Sequence, residues 1–376
     1  MFNPSSRRIR LQGLETMKYQ APLEGLRVVE FLGLGPAPFG CMMLADLGAE
    51  VLTLRRPGSE LPALVRNRST LEVDLKDADT LRLVREMIEA ADVLVEGFRP
   101  GVMERLGLGP ADLSAANERL VYARMTGWGQ SGPLASTAGH DINYIALSGA
   151  LHSATRQGGT PMPPANLLGD FGGGALYLVT AILSAVYERD RTGRGTVLDI
   201  GILDGTTYLT SMLHEYRSTG RWSDEPGTNR LDTGAPYYDV YPCADGKFVA
   251  IGALEDPFFA VLLEVLGLEA ELADGRHDPA SWPSLRERIA AAVLTRTRDE
   301  WAELAGPTDA CLTPVLGLAE APDHPQVRDR DILAADGRGG WTPRLPIGYR
   351  DDATSAHDLL RSWVAAGDRA GRSVTS

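Results

Sequence analysis

Two short segments of the chain carry side chains that suit proton transfer. Residues 139–144 read GHDINY, and residues 168–174 read LGDFGGG. His140 carries an imidazole, which can act as a general acid or base, and Asp170 precedes a long apolar run, where a helix is expected to begin. A carboxylate at that point would lie at the positive end of the helix dipole. The two segments therefore predict His140 and Asp170 as a pair of proton-transfer groups.

Each of the two residues also has a purely structural interpretation. A lone histidine is more often a hydrogen-bonded structural residue than a catalyst, but Gly139 permits close approach of the backbone, and Asp141 and Asn143 offer polar partners. Asp170 is a good N-cap for the helix that follows it. Capping and catalysis are compatible, because the three glycines would let a ligand reach free N–H groups that stabilise an oxyanion.

The elements that position these residues begin with alternating apolar and amphipathic segments. The pattern predicts strands and helices in the first third of the chain, with strands over 26–32, 50–54, 69–75, 92–96 and 120–125 and helices over 36–49 and 77–91. Strands that alternate with helices favour a parallel α/β sheet with right-handed crossovers. The turn at 33–36 breaks the G-x-G-x-x-G spacing, so it gives only weak support to a dinucleotide site.

The pattern changes in the second half of the chain. A long helix over 171–189, a strand over 196–200 and a helix over 204–216 come before a polar, Gly- and Pro-containing linker. After the linker, residues 237–242 and 247–252 flank the turn Asp245-Gly246 and predict a β-hairpin. Apolar helices follow over 258–266, 282–294 and 299–304. This part of the chain predicts a smaller α+β domain.

These patterns divide the chain into six predicted regions. They are a disordered leader at 1–20, a large domain at 21–216, a linker at 217–235, a small α+β domain at 236–312, a return linker and C-terminal segment packed on the large domain at 313–365, and a frayed tail at 366–376.

Seven basic residues cluster in the first third of an acidic chain. They fall at or just after predicted strand ends, where parallel α/β sheets bind their ligands. Any single member could belong to a solvated face, but the group suits phosphates, for which Arg is a bidentate partner. The seven are Arg55, Arg56, Arg66, Arg68, Lys76, Arg99 and Arg105.

The composition argues against several classes of protein. The 376 residues include 37 Lys and Arg against 50 Asp and Glu, so a net charge of −13 makes the chain a poor binder of nucleic acid or anionic membranes. Three dispersed cysteines predict neither a disulfide framework nor a zinc site, and a cytoplasmic location is expected. The longest apolar run, 175–186, is too short to span a bilayer, and the first residues lack the apolar core of a secretory signal.

Several motifs, taken in order, resemble the family III CoA-transferase superfamily. Residues 23–30 (LEGLRVVE) and 95–102 (VEGFRPGV), with 105–107 (RLG), are similar to its coenzyme A segment. The segments that contain His140 and Asp170 resemble the α-methylacyl-CoA racemase group within that superfamily. The similarity runs from about Pro22 to about Ile347.

The resemblance implies a fold and a reaction. The fold is a Rossmann-like large domain with a smaller α+β domain, in an interlocked homodimer without metal or redox cofactor, because coenzyme A is part of the substrate. The reaction inverts the α-carbon of 2-methylacyl-CoA thioesters by proton transfer through an enolate. His140 matches the family's histidine base, and Asp170 matches its aspartate on the opposite face. Glu255 matches a glutamate that assists the histidine from the same or the partner subunit.

The resemblance also implies the contacts with the substrate. Arg56, Lys76, Arg99 and Arg105 match positions that line the coenzyme A moiety. The other residues predicted to bind the substrate are Val73, Leu75, Gly97, Phe98, Gly139, Asp141, Asn143 and Tyr144. The acyl chain stays unassigned, since Met162, Leu167 and Met212 could line its pocket or belong to the core.

Two other functions remain open at this point. In a CoA-transferase, Asp170 would attack a thioester and carry the acyl group as an anhydride, and His140 would not be needed. In a CoA-binding protein without catalysis, both residues would be structural. Exchange of the substrate's α-proton with solvent separates racemisation from both.

Overall fold

The computed structural model describes residues 21–61, 64–345 and 355–363. The predicted leader at 1–20 and the predicted tail at 366–376 lie outside the described residues. Two compact units are present: the first contains the described residues up to Arg124, Val179–Leu198 and those from Pro343 onward, and the second contains Met125–Leu178 and Asp199–Thr342. This division differs from the predicted domain boundaries, because residues 125–178 group with the hairpin region. Those boundaries stay a prediction.

The largest sheet among the described residues is parallel and has six strands. Its strands are β1 (Arg27–Phe31), β2 (Glu50–Arg55), β3 (Ser69–Glu72), β4 (Val93–Glu96), β5 (Val121–Thr126) and β6 (Val197–Gly201). They are arranged in the order β3-β2-β1-β4-β5-β6, which is that of doubly wound dinucleotide-binding folds. The buried and mostly apolar residues of β1 and β4 are typical of strands covered on both faces. The predicted α/β, Rossmann-like class is confirmed.

The helices follow the predicted pattern closely at the start of the chain. Pro36 opens the first helix, where a missing N–H has no cost, and the Asp77 side chain caps the second by accepting the Thr80 N–H at 2.8 Å. The helices are α1 (Pro36–Asp46), α2 (Ala78–Glu89), α3 (Val102–Arg105), α4 (Pro110–Ser114), α5 (Asp141–Leu147), α6 (Ala150–Ser153), α7 (Leu176–Thr192), α8 (Ile202–Leu209), α9 (Ser211–Ser218), α10 (Asp256–Leu266), α11 (Trp282–Val293), α12 (Arg298–Ala305) and α13 (Pro325–Asp329).

The second unit contains a three-stranded antiparallel sheet. The predicted hairpin is present as β7 (Tyr238–Pro242) and β8 (Phe248–Gly252), and β9 (Leu312–Pro314) pairs with β8. Helices α10, α11 and α12 contribute to one core with this sheet, as the buried side chains of Tyr237, Phe259 and Trp301 show. The predicted hairpin and the helices after it are present, whereas the smaller α+β domain at 236–312 stays a prediction. A further two-stranded sheet joins β10 (Leu333–Ala335) to β11 (Trp341–Pro343).

The helix that contains Asp170 begins earlier than predicted. Residues Leu167–Ala175 form a π-helix that continues into α7, and Asn166 rather than Asp170 precedes its first turn. The N-cap interpretation of Asp170 is therefore wrong. The glycines explain the difference: a Cβ on Gly173 would lie 2.2 Å from Thr206 Oγ1 of α8, so the bare backbone permits close packing of the wide helix against α8.

The predicted helix over 204–216 is also different, because it is two helices, α8 and α9, that meet at Thr210. By length and composition, the helical run Leu167–Thr192 could cross a membrane, with a mean hydropathy of 1.5. The sequence prediction considered only the shorter apolar run inside it. Buried core helices have the same properties, and Leu178, Ile182 and Ala185 are buried here.

Candidate active site

The loop before α5 holds His140 with its backbone fixed. Asn143 Oδ1 accepts the His140 N–H at 3.0 Å, and the Tyr144 hydroxyl donates to the Gly139 carbonyl at 2.5 Å. A Cβ on Gly139 would lie 2.8 Å from the Tyr144 ring and 2.9 Å from the Trp128 ring, so only glycine fits this position. The His140 residue itself is exposed. An exposed imidazole on a fixed backbone can reach a bound substrate.

Asp170 lies half-buried in the first turn of the π-helix. Its Oδ2 accepts a hydrogen bond from Asn166 Nδ2 at 3.3 Å, and its backbone N–H donates to Asp141 Oδ2 at 2.7 Å. The second hydrogen bond joins the π-helix to the start of α5, next to His140. The structure thus brings together the two predicted proton-transfer residues, which are 30 positions apart in the sequence.

The surroundings of Asp170 favour its protonated form. Burial raises the pKa of its carboxyl, and the nearby Asp141 carboxylate raises it further. The hydrogen bond from Asn166 and the proximity of His140 act in the opposite direction, but the pKa of Asp170 stays above its ordinary value.

The neighbours of His140 that were predicted to bind the substrate make internal contacts. Tyr144 is buried, packs edge-on against Trp128 with ring centroids 4.7 Å apart, and has its pKa raised by burial and by Asp170. Asn143 binds the backbone of His140, and Asp141 binds that of Asp170. These residues shape the site, and their contact with a substrate stays a prediction. Trp128 and Asn166 were missed, since neither lies in a recognisable motif.

Glu255 is exposed and lies directly before α10. Its backbone carbonyl accepts the Phe259 N–H at 2.9 Å and a hydrogen bond from Arg276 Nη1 at 3.3 Å. Among the described residues its carboxylate forms no hydrogen bond or ion pair. The structure therefore does not bring Glu255 into contact with His140 within one chain.

A cavity of about 1050 Å³ lies in the first unit, at the carboxyl ends of β1, β2, β3 and β4. Five of the predicted substrate contacts line it, namely Arg56, Val73, Leu75, Lys76 and Phe98. The lining also includes Arg55, a member of the predicted basic cluster, and Gly33 and Leu34, which were not among the predicted contacts. Gly33 and Leu34 belong to the turn after the first strand. The position of this turn, at the carboxyl end of a parallel strand, was the sequence feature that could have identified them as cavity residues.

The remaining basic residues of the cluster do not line this cavity. Arg66 pairs with Asp46, with its Nε 3.1 Å from both carboxylate oxygens, and Arg68 forms a buried ion pair with Glu30. Both carboxylates are buried, and neither guanidinium lines the cavity, so a phosphate contact from these two residues stays a prediction. Arg99 and Arg105 are exposed and, like Gly97, are absent from the cavity wall.

No group of three or more His, Cys, Asp or Glu side chains within 21–61, 64–345 and 355–363 is arranged to hold a metal ion. The three cysteines are free thiols, with Cys41 and Cys243 buried and Cys311 exposed. The predicted absence of metal and cofactor stays a prediction.

Comparisons with known proteins agree with the motifs. The model of CoA-transferase family III matches residues 23–349. The chain is 44% identical to an alpha-methylacyl-CoA racemase of Mus musculus, over 91% of this chain and 93% of that protein. It is 42% identical to the Homo sapiens protein of the same name, over 86% and 85%. A solved CAIB/BAIF family protein from Brucella suis is 26% identical, with a TM-score of 0.76 over 91% of this chain and 98% of that one.

Proposed function

The chain belongs to CoA-transferase family III, and on this premise we propose that it is a racemase that inverts the α-carbon of 2-methylacyl-CoA thioesters. The observation that carries the proposal is the pairing of His140 with Asp170 at one site. An imidazole and a carboxyl with a raised pKa are two groups that can exchange proton roles near neutral pH.

The proposed reaction is a two-base proton transfer. A thioester acidifies its α-carbon, because the enolate delocalises charge onto oxygen. One group removes the α-proton from one face, the C–H electron pair enters the enolate, and the other group delivers a proton to the opposite face. Neutral His140 works with protonated Asp170 in one direction, and protonated His140 works with ionised Asp170 in the other.

The pair must hold one proton in both directions. The raised pKa of Asp170 suits this requirement, because it brings the two proton affinities closer together. An ordinary carboxyl would give up its proton too readily to act as the acid. The half-buried position of Asp170, together with Asp141, therefore supports a role in proton transfer.

The cavity in the first unit is the proposed site of the coenzyme A moiety. Its wall combines the basic side chains of Arg55, Arg56 and Lys76 with the apolar side chains of Leu34, Leu75 and Phe98. Phosphates suit the basic groups, and the adenine and pantetheine parts suit the apolar surface. Arg55 is held in place by an ion pair with Glu72 at 2.6 Å.

We further propose that the active form is a homodimer, in which Glu255 reaches the His140 of the other subunit. Its exposed carboxylate, without a partner among the described residues, supports this assignment. Exposed Leu147 and Tyr208 on α5 and α8 supply apolar surface for such an interface. Light scattering at assay concentration tests the dimer. Activity that returns when Glu255→Ala chains are mixed with His140→Ala chains would support a site shared between two subunits.

A racemisation assay tests the proposed function. The wild-type protein should convert one epimer of a straight-chain 2-methylacyl-CoA into an equal mixture of both. His140→Ala and Asp170→Asn should each reduce this conversion by at least about 10³-fold. His152→Ala, which removes an exposed histidine, should leave the rate unchanged. Unaltered racemisation in both site variants would refute the proposal.

The family name keeps CoA transfer as a second candidate. In that reaction ionised Asp170 attacks the thioester carbonyl, and coenzyme A leaves as the thiolate. A nucleophilic carboxylate must be ionised, and the raised pKa of Asp170 disfavours that form. Incubation of acyl-CoA with a panel of free carboxylic acids distinguishes the reactions, because only a transferase yields a new CoA thioester.

A further inference from the structure

Asp141 is a buried carboxylate for which the proposed proton transfer has no direct use. It is the first residue of α5, and 6% of its surface is exposed. Its Oδ2 accepts the Asp170 N–H at 2.7 Å, whereas its Oδ1 is buried without a hydrogen-bond partner among the described residues. A buried carboxylate with one oxygen unsatisfied costs stability, which points to a functional reason for its presence.

The backbone at Gly169 is adapted to this carboxylate. A Cβ on Gly169 would lie 2.4 Å from Asp141 Oδ2 and 2.8 Å from Asp141 Cγ, so any other residue would displace the side chain. Gly169 directly precedes Asp170, and Asp141 directly follows His140. One hydrogen bond therefore fastens together the two segments that carry the proton-transfer groups.

We propose that Asp141 is a positioning residue, whose carboxylate fixes the spacing of His140 and Asp170 and favours a proton on Asp170. This inference rests on the proposed racemase function. The hydrogen bond supplies the spacing, because it anchors the backbone N–H of Asp170 itself. The negative charge supplies the second effect, because two neighbouring carboxylates resist simultaneous ionisation.

The other groups around Asp170 do not replace this charge. His140, directly before α5, and Asp141 and Tyr144, within α5, act on or respond to Asp170. On its own segment, Asn166 donates a hydrogen bond and favours the ionised form. Helix α8, which also packs on the π-helix, carries Asp204, whose pKa is raised by burial and by Asp199. Within the part of the chain that the structure describes, Asp141 is the carboxylate that acts on Asp170.

Two variants separate position from charge. Asp141→Asn keeps an oxygen that can accept the Asp170 N–H but removes the charge. Gly169→Ala keeps the charge but pushes the carboxylate away from the Asp170 N–H. Asp79→Asn is the matched control, because it removes an exposed carboxylate of α2 whose partner is Arg82.

The readout is the pH dependence of kcat/KM for racemisation of one 2-methylacyl-CoA epimer. The acid limb reports the step in which the doubly protonated His140–Asp170 pair loses one proton as pH rises and reaches its active, singly protonated form. Without the Asp141 charge, Asp170 gives up its proton more readily, so Asp141→Asn should move this limb to lower pH by about half a unit or more. Gly169→Ala should lower kcat by about 10²-fold while KM changes by less than about threefold.

The outcomes distinguish this inference from the function on which it rests. If the wild-type protein does not racemise the substrate, the proposed function fails. If the wild-type protein is active and the acid limb of Asp141→Asn coincides with that of Asp79→Asn, the inference is overturned. The near-isosteric Asp141→Asn variant decides the question even if Gly169→Ala fails to fold.

Discussion

At the scale of single residues, the role proposed for Asp170 has a cost in stability. It is half-buried, Asp141 lies beside it, and both effects raise its pKa above the ordinary carboxyl value. A raised pKa in the folded protein means that folding disfavours the ionised form. At neutral pH this residue therefore opposes folding, although a proton donor in the active site requires these surroundings.

Asp170→Asn should stabilise the protein at neutral pH. A folded-state pKa above the unfolded value means that the stability contributed by the protonated group is complete below the unfolded pKa and is lost as pH rises through the folded one. The amide never ionises, so it avoids that loss. Urea unfolding of both proteins from pH 4 to pH 8 measures the difference. Curves that stay parallel over the whole range would contradict this explanation.

The sequence was sufficient to identify His140 and Asp170 as partners, because both lie in motifs that carry a family resemblance. It was not sufficient to find the role of Asp141. That role depends on an N–H group 29 positions away, on the absence of a Cβ at Gly169, and on burial. No local pattern reports any of these three.

At the scale of elements, the π-helix Leu167–Ala175 is where prediction from sequence failed. Its start depends on close packing against α8: a Cβ on Gly173 would lie 2.2 Å from Thr206 Oγ1 and 2.7 Å from the Thr206 backbone nitrogen. Strands β1, β2 and β4 were predicted almost to the residue, because buried parallel strands are short, mostly apolar runs. Tertiary packing determines where the π-helix begins, whereas local composition determines where the three strands begin and end.

Gly173→Ala should destabilise the protein and separate the π-helix from α8. Backbone atoms at Thr206 cannot move aside cheaply, so we expect a loss of about 1–3 kcal/mol in the free energy of unfolding. Gly172→Ala is the matched control, because its Cβ would meet no atom closer than 3.2 Å. Urea unfolding followed by circular dichroism compares the two. Equal stabilities would show that close packing at Gly173 is unimportant.

The carboxyl ends of the parallel strands form the proposed site of the coenzyme A moiety. Lys76→Ala should weaken binding of free coenzyme A by about tenfold, because one charged contact with a phosphate is lost. The effect should decrease as salt concentration rises. Arg82→Ala, on the exposed face of α2, is the control. Calorimetric titration that gives one affinity for wild type and both variants would exclude Lys76 from the site.

At the scale of the whole molecule, the chain returns to its first unit at its far end. Trp363 is 1% exposed in the same core cluster as Val29 and Leu52, and its Nε1 donates to Glu50 Oε2 at 2.5 Å. The contact joins positions 313 residues apart, at the beginning of β2. The sequence predicted that this C-terminal segment packs on the large domain. It did not single out Trp363, because a tryptophan in a polar segment has no periodic pattern around it.

Trp363→Ala should destabilise the first unit strongly. Removal of a fully buried indole costs about 3–5 kcal/mol through lost burial and a residual cavity. Trp363→Phe should cost less, since it keeps most of the apolar volume and loses mainly the hydrogen bond to Glu50. Scanning calorimetry measures both variants. An unchanged transition in Trp363→Ala would show that the C-terminal segment is not part of the folded unit.

The central claim is that His140 and Asp170 serve opposite faces of one carbon. The most direct measurement is α-deuterium uptake in D₂O, followed separately for the two epimers of one 2-methylacyl-CoA by mass spectrometry. We expect wild-type protein to label both epimers. His140→Ala and Asp170→Asn should both lose racemisation, and the residual labelling of the two variants should fall on opposite epimers. Loss of labelling from the same epimer in both variants, or full labelling of both epimers by both variants, would contradict it.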